Sequence, residues 1–215
     1  MAGGCEILGP FRYTWTEGCF PMGRDSLALG DFATVRKHWR VCDLGCGAGL
    51  LLLLLARREP TLALTGVELS GEAMAAARAN FRENGLEGAL LEGDFSTAPL
   101  PLGTFDLVVS NPPYFAPRSG KGSDPARMEG ELTLEGLCRR AGALLRHGGR
   151  FALVHRPERL ADLFAGLRGA ALEPKRLQFL QHDAAHAPSA VLVESVKGGR
   201  PGLECLPAAF AAGPI

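Results

Sequence analysis

The sequence is short of several features that would assign a protein to a class at once. Aromatic residues make up only 7% of the chain, and basic and acidic residues balance at 23 each, so overall charge indicates no polyanionic partner. The longest unbroken apolar run, residues 50–56, is far shorter than the roughly 20 residues of a membrane-spanning helix. With 47% hydrophobic residues among 215, the composition is typical of a globular domain with a full core.

Cysteine is present, but not in the paired spacing of a metal or redox motif. The six cysteines are Cys5, Cys19, Cys42, Cys46, Cys138 and Cys205. Because none forms a CxxC pair, we expect free, partly buried thiols and no metal site. No basic-then-apolar leader opens the sequence, which predicts a cytoplasmic protein that does not associate with a membrane.

Charge is unevenly distributed along the chain despite the overall balance. Residues 138–200 hold 11 basic and 5 acidic residues, whereas the remainder holds 12 basic and 18 acidic residues. Such a polarised molecule can offer one basic face to a polyanion, although scattered surface charge explains the same counts equally well.

Apolar segments alternate between the patterns of strands and helices. We predict strands at 39–44, 62–69, 88–94, 105–110, 150–156, 175–181 and 190–198. We predict helices at 25–35, 50–58, 72–84, 132–149 and 157–169. Strands that alternate with helices form a parallel sheet covered on both faces, which is a three-layer α/β sandwich. The last two strands follow each other without a helix, so they close a seven-strand mixed sheet as an antiparallel pair.

The first predicted strand runs into DLGCGAGL, a glycine-rich turn that indicates a bound ligand. Asp43 ends the strand, and Gly45, Cys46, Gly47 and Gly49 follow it. Glycine lets the backbone turn tightly and approach a ligand closely. The dinucleotide fingerprint is GxGxxG, whereas the spacing here is GxGxG after an acidic residue, which argues against NAD. The turn resembles instead the first motif of the class I S-adenosylmethionine methyltransferases.

Acidic residues follow the next two strands, as a nucleoside cofactor requires. Glu68, with Leu69 beside it, lies 19 residues after Gly49, where a carboxylate can accept hydrogen bonds from both ribose hydroxyls. Asp94 can take the adenine amino group, and Phe95 can stack on the ring. Because ligands of open α/β sheets bind at the carboxyl ends of the strands, this ordered set favours S-adenosylmethionine over isolated capping roles.

The fourth strand ends in SNPPYF, residues 110–115, which predicts the chemistry of the site. An exocyclic amine conjugated to a ring is a poor nucleophile, because its lone pair is delocalised. Acceptors for both N–H groups localise that lone pair, and the Asn111 side-chain oxygen and the Pro112 carbonyl can supply them. Pro112 and Pro113 make the turn rigid, and Tyr114 can stack on a planar substrate. We therefore predict a target amine on adenine, cytosine, guanine or a glutamine amide, with no proton-abstracting base.

Four further segments carry a resemblance to one known family. They are GCFPMGRDSLALGDF (18–32), GGRFALVHRPERLADL (148–163), LEPKRLQFL (172–180) and VLVESVKGGRPGLECLP (191–207). They resemble the bacterial tRNA1(Val) (adenine(37)-N6)-methyltransferases over nearly the whole chain. The resemblance implies one domain over residues 1–215, in which residues 1–38 pack over the cofactor pocket of a Rossmann-like core at 39–215. It also implies S-adenosylmethionine as cofactor and a tRNA adenine beside the anticodon as substrate.

Basic side chains in the matching segments are candidates for contact with tRNA phosphates. They are His155, Arg156, Arg159, Lys175, Arg176, Lys197 and Arg200. Such side chains can hold the tRNA while the adenine is turned out of its stem-loop. Arg159 and Arg176 have an alternative role in ion pairs or in covering the sheet edge with their stems. Arg24 and Asp25 can close over the substrate, although Asp25 can also simply cap its helix.

One departure and three alternative functions complete the interpretation. In the loop 116–130, Met128 stands where the family usually has a histidine, so this chain cannot make any RNA contact that depends on that histidine. Release-factor glutamine methyltransferases share the NPPY motif but follow a sizeable helical domain, for which the 38 residues ahead of the first strand leave no room. Ribosomal RNA guanine-N2 methyltransferases usually carry an additional domain. A non-catalytic RNA-binding module would not need intact Asp43, Glu68 and Asp94. The sequence carries no signal for an oligomeric state.

Overall fold

The structure is a computed structural model, and it describes residues 3–19, 22–112 and 133–210. Its strands are β1 (Gly4–Leu8), β2 (Phe11–Trp15), β3 (Arg40–Leu44), β4 (Ala63–Glu68), β5 (Gly88–Glu92), β6 (Phe105–Ser110), β7 (Leu145–His155), β8 (Leu172–Gln181), β9 (Ala190–Lys197), β10 (Glu204–Cys205) and β11 (Ala209–Phe210). Its helices are α1 (Arg24–Phe32), α2 (Leu50–Arg58), α3 (Gly71–Glu83), α4 (Leu134–Leu144) and α5 (Leu160–Gly169). Every predicted strand and helix has a counterpart among these elements.

Within the described residues, one central sheet has the strand order β10-β8-β9-β7-β6-β3-β4-β5, and β11 also pairs with β8. The strands β5, β4, β3, β6 and β7 pair in parallel, and β9 lies antiparallel between β7 and β8. The prediction of a mixed sheet of seven strands with an antiparallel closing pair is therefore confirmed for the longer strands. The two-residue strands β10 and β11 add to its edge. They were not predicted, because segments this short carry no periodic pattern of their own.

Helices cover both faces of the central sheet, as predicted. One core packs α1, α2 and α3 against strand side chains such as Val41 and Val154. The second core packs α4 and α5 against the opposite faces of the same strands, at Cys42 and Leu153 for example. Successive side chains of a strand point to opposite faces, so a parallel sheet buried on both sides needs continuous apolar runs. The leucines of α2 are all buried, which agrees with a helix that is apolar all round.

A β-hairpin of β1 and β2, which the sequence analysis did not predict, packs on α3. Tyr13 is buried in the first core, and Gly4 pairs with Trp15 across the hairpin. Thr14 N donates to Asn80 Oδ1 at 2.9 Å, and Asn80 Nδ2 donates to Thr14 O at 2.8 Å. The segment FRYTW of β2 alternates aromatic with polar residues, which is a strand signal, but the sequence analysis assigned no strand ahead of residue 39.

Two helix boundaries differ from the prediction for identifiable reasons. The helix α4 ends at Leu144, earlier than the predicted 149, because Leu145 already pairs with Phe105 in the sheet. The predicted helix at 157–169 begins with a 3-10 turn at Pro157–Arg159, and the α-helix itself starts at Leu160. Proline fits either kind of first turn, so the sequence alone does not separate them.

A buried charge cluster fixes the end of α1 to the sheet. The fully buried carboxylate of Glu194 accepts hydrogen bonds from Thr34 N and Thr34 Oγ1, at 2.8 and 2.9 Å, and from Arg150 Nη1 at 2.6 Å. Arg176 lies 3.3 Å from the same carboxylate and stacks over the ring of Phe32 at 4.6 Å. A buried carboxylate is stable only when donors and opposite charge surround it, as they do here. This cluster therefore holds α1 in one position relative to β8 and β9.

No helix in the described part of the chain is long and apolar enough to cross a membrane. Among the same residues, no three histidine, cysteine, aspartate or glutamate side chains come together as a set of metal ligands. The six cysteines are free; Cys5 and Cys205 are exposed and the other four are buried.

Candidate functional site

The carboxyl ends of the parallel strands meet at one edge of the sheet, named here the carboxyl edge. The strand register pairs Glu68 with Glu92 and Ser110 with Leu153. Ser110 Oγ also donates to Leu44 O at 2.7 Å, which locks the end of β6 beside the end of β3. The motifs that follow β3, β4, β5 and β6 therefore lie side by side, as the sequence analysis predicted.

The glycine loop, residues 43–49, turns sharply as it leaves β3. Gly45, Gly47 and Gly49 have φ values of 81°, 53° and 87°, in the left-handed region that favours glycine. Gly45 N and Cys46 N both donate to Val67 O, at 2.9 and 3.0 Å, which holds the loop against β4. A Cβ added to Gly45 or Gly47 would meet open space, so backbone conformation and not crowding requires glycine there. The side chain of Cys46 is buried in the first core, so only its backbone can face a ligand.

Glu68 joins the glycine loop to the start of α3. Its Oε2 accepts a hydrogen bond from Gly47 N at 2.9 Å, and its Oε1 accepts one from Ser70 N at 2.8 Å. Each carboxylate oxygen has two lone pairs, so both oxygens can accept a further hydrogen bond from a ligand hydroxyl. Leu69, next in the chain, is 72% exposed at the carboxyl edge. A fixed carboxylate beside an exposed apolar side chain suits a ribose and the base attached to it.

Asp43 is a buried carboxyl group with unused hydrogen-bonding capacity. Its exposure is 1%, and in the described part of the chain no donor lies within hydrogen-bond distance of either oxygen. Burial raises the pKa of Asp43 well above its usual range, and the neighbouring Glu68 carboxylate raises it further. Leaving such a group without a partner costs free energy, which a cationic or hydrogen-bonding ligand would recover. The cofactor proposed from the sequence carries a positive charge and fits this environment.

Asn80 supports the glycine loop from below and was not predicted. This fully buried side chain donates from Nδ2 to Ala48 O at 2.9 Å, as well as to the hairpin through Thr14 O. It thereby ties the N-terminal hairpin to the glycine loop. A polar residue at the helical spacing of the buried Ala73 and Ala77 is the sequence signal that could have revealed it.

Asn111 lies at the carboxyl edge with its amide anchored to α1. Its Nδ2 donates to Ser26 Oγ at 2.8 Å, and Ser26 is only 9% exposed. Pro112, which follows, is buried. Nothing in the sequence connects Ser26 to a residue 85 positions away, so this contact required the fold. The predicted Pro113 and Tyr114, the loop 116–130 and Met128 lie outside the described residues.

Asp94 and Phe95 follow β5, as predicted, and both take part in local structure. Asp94 Oδ1 accepts a hydrogen bond from Ser96 N at 2.8 Å in a tight turn. Phe95 packs partly buried against the second core, and its carbonyl accepts from Arg140 Nε at 2.8 Å. The capping role of Asp94 is therefore present in the protein alone, and a role toward adenine remains a prediction for both residues.

Arg24 and Asp25 lie in the first turn of α1, close in sequence to Ser26. Both side chains are half-buried. The residue at the N-cap is Gly23 and not Asp25, and it makes no side-chain cap. Asp25 lies instead where a negative charge interacts favourably with the helix dipole. Asp25 therefore interacts with the helix dipole and does not cap the helix. Closure of Arg24 and Asp25 over a substrate remains a prediction.

The predicted basic surface is divided between opposite edges of the sheet. Arg156 and Arg159 follow β7 at the carboxyl edge. Lys197 pairs with Leu172 at the other end of β9, whereas His155 pairs with Val191. Val191 and Lys197 are six residues apart along β9, and six residues of a strand span about 20 Å.

The basic residues at the opposite edge hold backbone carbonyls there. Lys197 Nζ donates to Leu145 O at 2.7 Å. Lys175 Nζ donates to Arg200 O at 3.1 Å. A contact of RNA with the side chains of Lys175, Lys197 or Arg200 remains a prediction, at a site remote from Asn111.

Two of the residues that were predicted to contact RNA, His155 and Arg176, have structural roles instead. His155 is 1% exposed, and burial lowers its pKa, so it is a neutral side chain inside the sheet and not a surface cation for phosphate. Arg176 belongs to the buried cluster around Glu194, which is the structural alternative that the sequence left open. Arg159 donates from Nε to Asp162 Oδ2 at 2.6 Å at the surface, where such pairs contribute little to stability.

A further group at the carboxyl edge escaped the sequence analysis. The β8–β9 loop, residues 182–189, connects Gln181 to Ala190 and therefore lies beside the end of β7. Its exposed histidines, His182 and His186, meet edge to face with ring centroids 5.8 Å apart. His186 Nδ1 is hydrogen-bonded to Asp183 Oδ1 at 2.8 Å, which orients the ring. In the sequence this segment is an ordinary polar turn, and only the strand directions show which edge it occupies.

The strand order, the glycine loop and the acidic residue after β4 together define a class I methyltransferase fold, a class whose cofactor is S-adenosylmethionine. The crystal structure of a protein described as a predicted O-methyltransferase from Agrobacterium tumefaciens is similar, with a TM-score of 0.70, 24% sequence identity and 86% of each chain covered. This similarity confirms the predicted fold class.

The chain belongs to the methyltransferase small domain family, whose model matches residues 26–164. It is 36% identical over 161 residues to the tRNA1(Val) (adenine(37)-N6)-methyltransferase of Yersinia enterocolitica, covering 72% of this chain and 64% of that protein. A protein of the same name from a Flavobacteriaceae bacterium is 32% identical, covering 68% of this chain and 66% of that protein. The chain thus spans about two thirds of the length of these relatives. The resemblance noted in the sequence is confirmed.

Replacing Asp43 by asparagine should change how stability depends on pH. Folding raises the pKa of Asp43, so its stability contribution is complete below the unfolded-state pKa of about 4 and declines as pH rises toward the folded-state pKa. An asparagine side chain cannot ionise, so the wild type should lose about 1.4 kcal/mol per pH unit relative to Asp43→Asn in that window. Urea unfolding of both proteins from about pH 4 to pH 8 measures this difference. Parallel stability curves would show that the carboxyl group is solvated or paired.

Proposed function

We propose that the chain is an S-adenosylmethionine-dependent methyltransferase that modifies the N6 amine of a tRNA adenine beside the anticodon. The observation that carries this proposal is the position of Asn111 and Pro112 at the carboxyl edge, where the end of β6 lies beside the end of β3 with its buried Asp43. The curated relatives named as tRNA1(Val) (adenine(37)-N6)-methyltransferases support adenine over the other amines. A tRNA substrate agrees with the cytoplasmic location predicted from the sequence.

The residues after β3, β4 and β5 would hold the cofactor. Glu68 has free acceptor capacity for the ribose hydroxyls, and the exposed Leu69 offers an apolar surface to the base. A positive charge in the site would favour ionisation of the buried Asp43, and the carboxylate that results would stabilise that charge. Asp94 and Phe95 remain candidates for the adenine amine and ring. When bound, S-adenosylmethionine supplies a methyl group activated by a positively charged sulfonium.

Asn111 and Pro112 would activate the target amine by accepting its two hydrogen bonds. The amine donates one N–H to Asn111 Oδ1 and the other to the Pro112 carbonyl. Both hydrogen bonds draw the nitrogen toward tetrahedral geometry, so its lone pair leaves the ring and points at the methyl group. The residues gain their effect from fixed position and polarity, with no base removing a proton beforehand. Stacking by Tyr114 and rigidity from Pro113 belong to the same proposal.

The N-terminal segment 1–38 would close the cofactor side of the site within a single domain over residues 1–215. Thr16 Oγ1 donates to Glu72 Oε1 at 2.6 Å, and Gly18 N donates to the same oxygen at 3.2 Å. Glu72 lies in the first turn of α3, four residues after Glu68. These contacts bring the segment beside the start of α3, close in sequence to Glu68, and the hydrogen bond from Asn111 to Ser26 brings α1 beside Asn111.

The tRNA would lie across the carboxyl edge, because the flipped adenine must reach Asn111. The candidate phosphate contacts at this edge are Arg156 and Arg159, which follow β7, and Arg24 at the start of α1. The rings of His182 and His186 suit stacking on unpaired bases of a loop. The basic residues about 20 Å away along β9 would lie outside the surface that the tRNA covers.

In a reaction with labelled S-adenosylmethionine, unmodified tRNA(Val) transcript should yield N6-methyladenosine, identified by mass after digestion to nucleosides. The Asn111→Ala variant should bind the cofactor with unchanged affinity in calorimetry. Its turnover should fall about a hundredfold or more, as when one preorganised polar group is removed from an active site. Transcripts of other tRNAs serve as specificity controls.

Absence of a methylated nucleoside in any tRNA, with the cofactor still bound, would overturn the substrate proposal. Ribosomal RNA and a protein glutamine would then be the substrates to examine. Failure to bind the cofactor would overturn the proposed function altogether, and the non-catalytic RNA-binding module would remain.

The two edges of the sheet should differ in their contribution to RNA binding. The double variant Arg156→Ala/Arg159→Ala should reduce the slope of log affinity against log salt concentration by about 2, one for each phosphate that the variant no longer neutralises. The matched double variant Lys197→Ala/Arg200→Ala removes the same charge from the opposite edge and should leave that slope unchanged. Fluorescence anisotropy with labelled tRNA over a range of KCl concentrations measures both. An effect of the second pair alone would assign RNA to the opposite edge.

A further inference from the structure

We propose that Ser26 is a positioning residue, which sets the orientation of the Asn111 amide for the reaction; this inference rests on the proposed function. Asn111 Nδ2 donates to Ser26 Oγ at 2.8 Å across 85 residues of sequence. Ser26 is 9% exposed, so water competes little for its hydroxyl group. This hydrogen bond engages the amide nitrogen of Asn111 and not its amide oxygen.

The direction of this hydrogen bond matters because an amide is not symmetrical. The Asn side chain carries two N–H donors on one corner and a carbonyl acceptor on the other. A half-turn about the last side-chain bond exchanges the two corners. The target amine is itself a donor, so it can bind only when Oδ1 faces it. In the orientation that the structure shows, Nδ2 donates to Ser26 and Oδ1 stays available for the amine.

The helix that carries Ser26 is held firmly enough to serve as a reference point. The helix α1 lies so close to α2 that a Cβ on Gly30 would be 2.8 Å from Leu54 Cδ1. Arg58 Nη1 donates to the backbone carbonyls of Gly30 and Ala33. Beyond the helix, Thr34 is fixed by the buried Glu194. Catalytic groups need such rigid support to stay within a fraction of an ångström of their working geometry.

Ser26→Ala should lower kcat about 3- to 10-fold, the effect expected when one net hydrogen bond no longer biases the amide. The Kd of the cofactor should stay unchanged, because the hydrogen bond of Ser26 goes to Asn111. Ser26→Thr keeps the hydroxyl group and should restore most of the missing turnover. Ser195→Ala is the matched control, since it removes another buried serine hydroxyl, which donates to Phe151 O at 3.3 Å.

A double-mutant cycle separates positioning from a general effect on the fold. If Ser26 acts through Asn111, Ser26→Ala should have no further effect on the single-turnover rate in an Asn111→Ala background. Additive losses would overturn the proposal, because they would show that Ser26 contributes independently of the amide. Full turnover in Ser26→Ala alone would also overturn it.

A spectroscopic measurement tests the contact without any need for turnover. The side-chain amide of Asn111 gives a pair of ¹H–¹⁵N signals, which are identified by their loss in Asn111→Ala. Ser26→Ala should move these signals and speed their exchange with solvent, whereas Ser195→Ala should not. Unmoved signals would overturn the Ser26 contact even in an active enzyme. Moved signals in a protein without activity on any tRNA would overturn the proposed function and leave the contact intact.

Discussion

Parallel pairing of β3, β4, β5, β6 and β7 is the constraint on which the site depends. A parallel pair cannot be joined by a tight turn, so each strand here is followed by a connection that leaves from the same edge. Everything placed directly after a strand therefore converges, although the residues concerned are far apart in sequence. The hydrogen bond from Ser110 to Leu44 shows how closely two of these ends are aligned. The direction of the strands brings the site residues together, and the side chains then determine the chemistry of the site.

Acidic and basic side chains occupy different parts of the carboxyl edge. The centre holds two acidic side chains, the buried Asp43 and Glu68, which accepts a hydrogen bond from Gly47 N. The rim carries Arg156 and Arg159. A cationic cofactor is attracted to such a centre, whereas a polyanionic RNA is repelled from it and held at the rim. The chain as a whole has no formal net charge, so this arrangement appears only when the residues are placed on the fold.

Much of this arrangement could be predicted from the sequence, because strand and helix periods are local signals. The run at 105–110 predicted β6 to the residue, and the two strands without an intervening helix predicted the antiparallel pair β8 and β9. The glycine loop and Glu68 could be placed because each follows its strand directly. Contacts between distant residues were beyond such reasoning: Ser26 with Asn111, Asn80 with Ala48, and Glu194 with Arg176. The basic segment was misleading for the same reason, since Arg156 and Arg159 follow β7 at the carboxyl edge, whereas β8 and β9 place Lys175 and Lys197 at the opposite edge.

The choice of an amide at position 111 follows from this electrostatic setting. An aspartate would offer an acceptor in either orientation and would need no partner to orient it. It would also add a carboxylate to an edge where Glu68 already raises the pKa of Asp43, and some of these groups would then take up protons. A protonated acid is a donor, which the target amine cannot use. Asparagine keeps an acceptor at every physiological pH but makes the site dependent on its orientation, and the buried hydroxyl group of Ser26 meets that dependence.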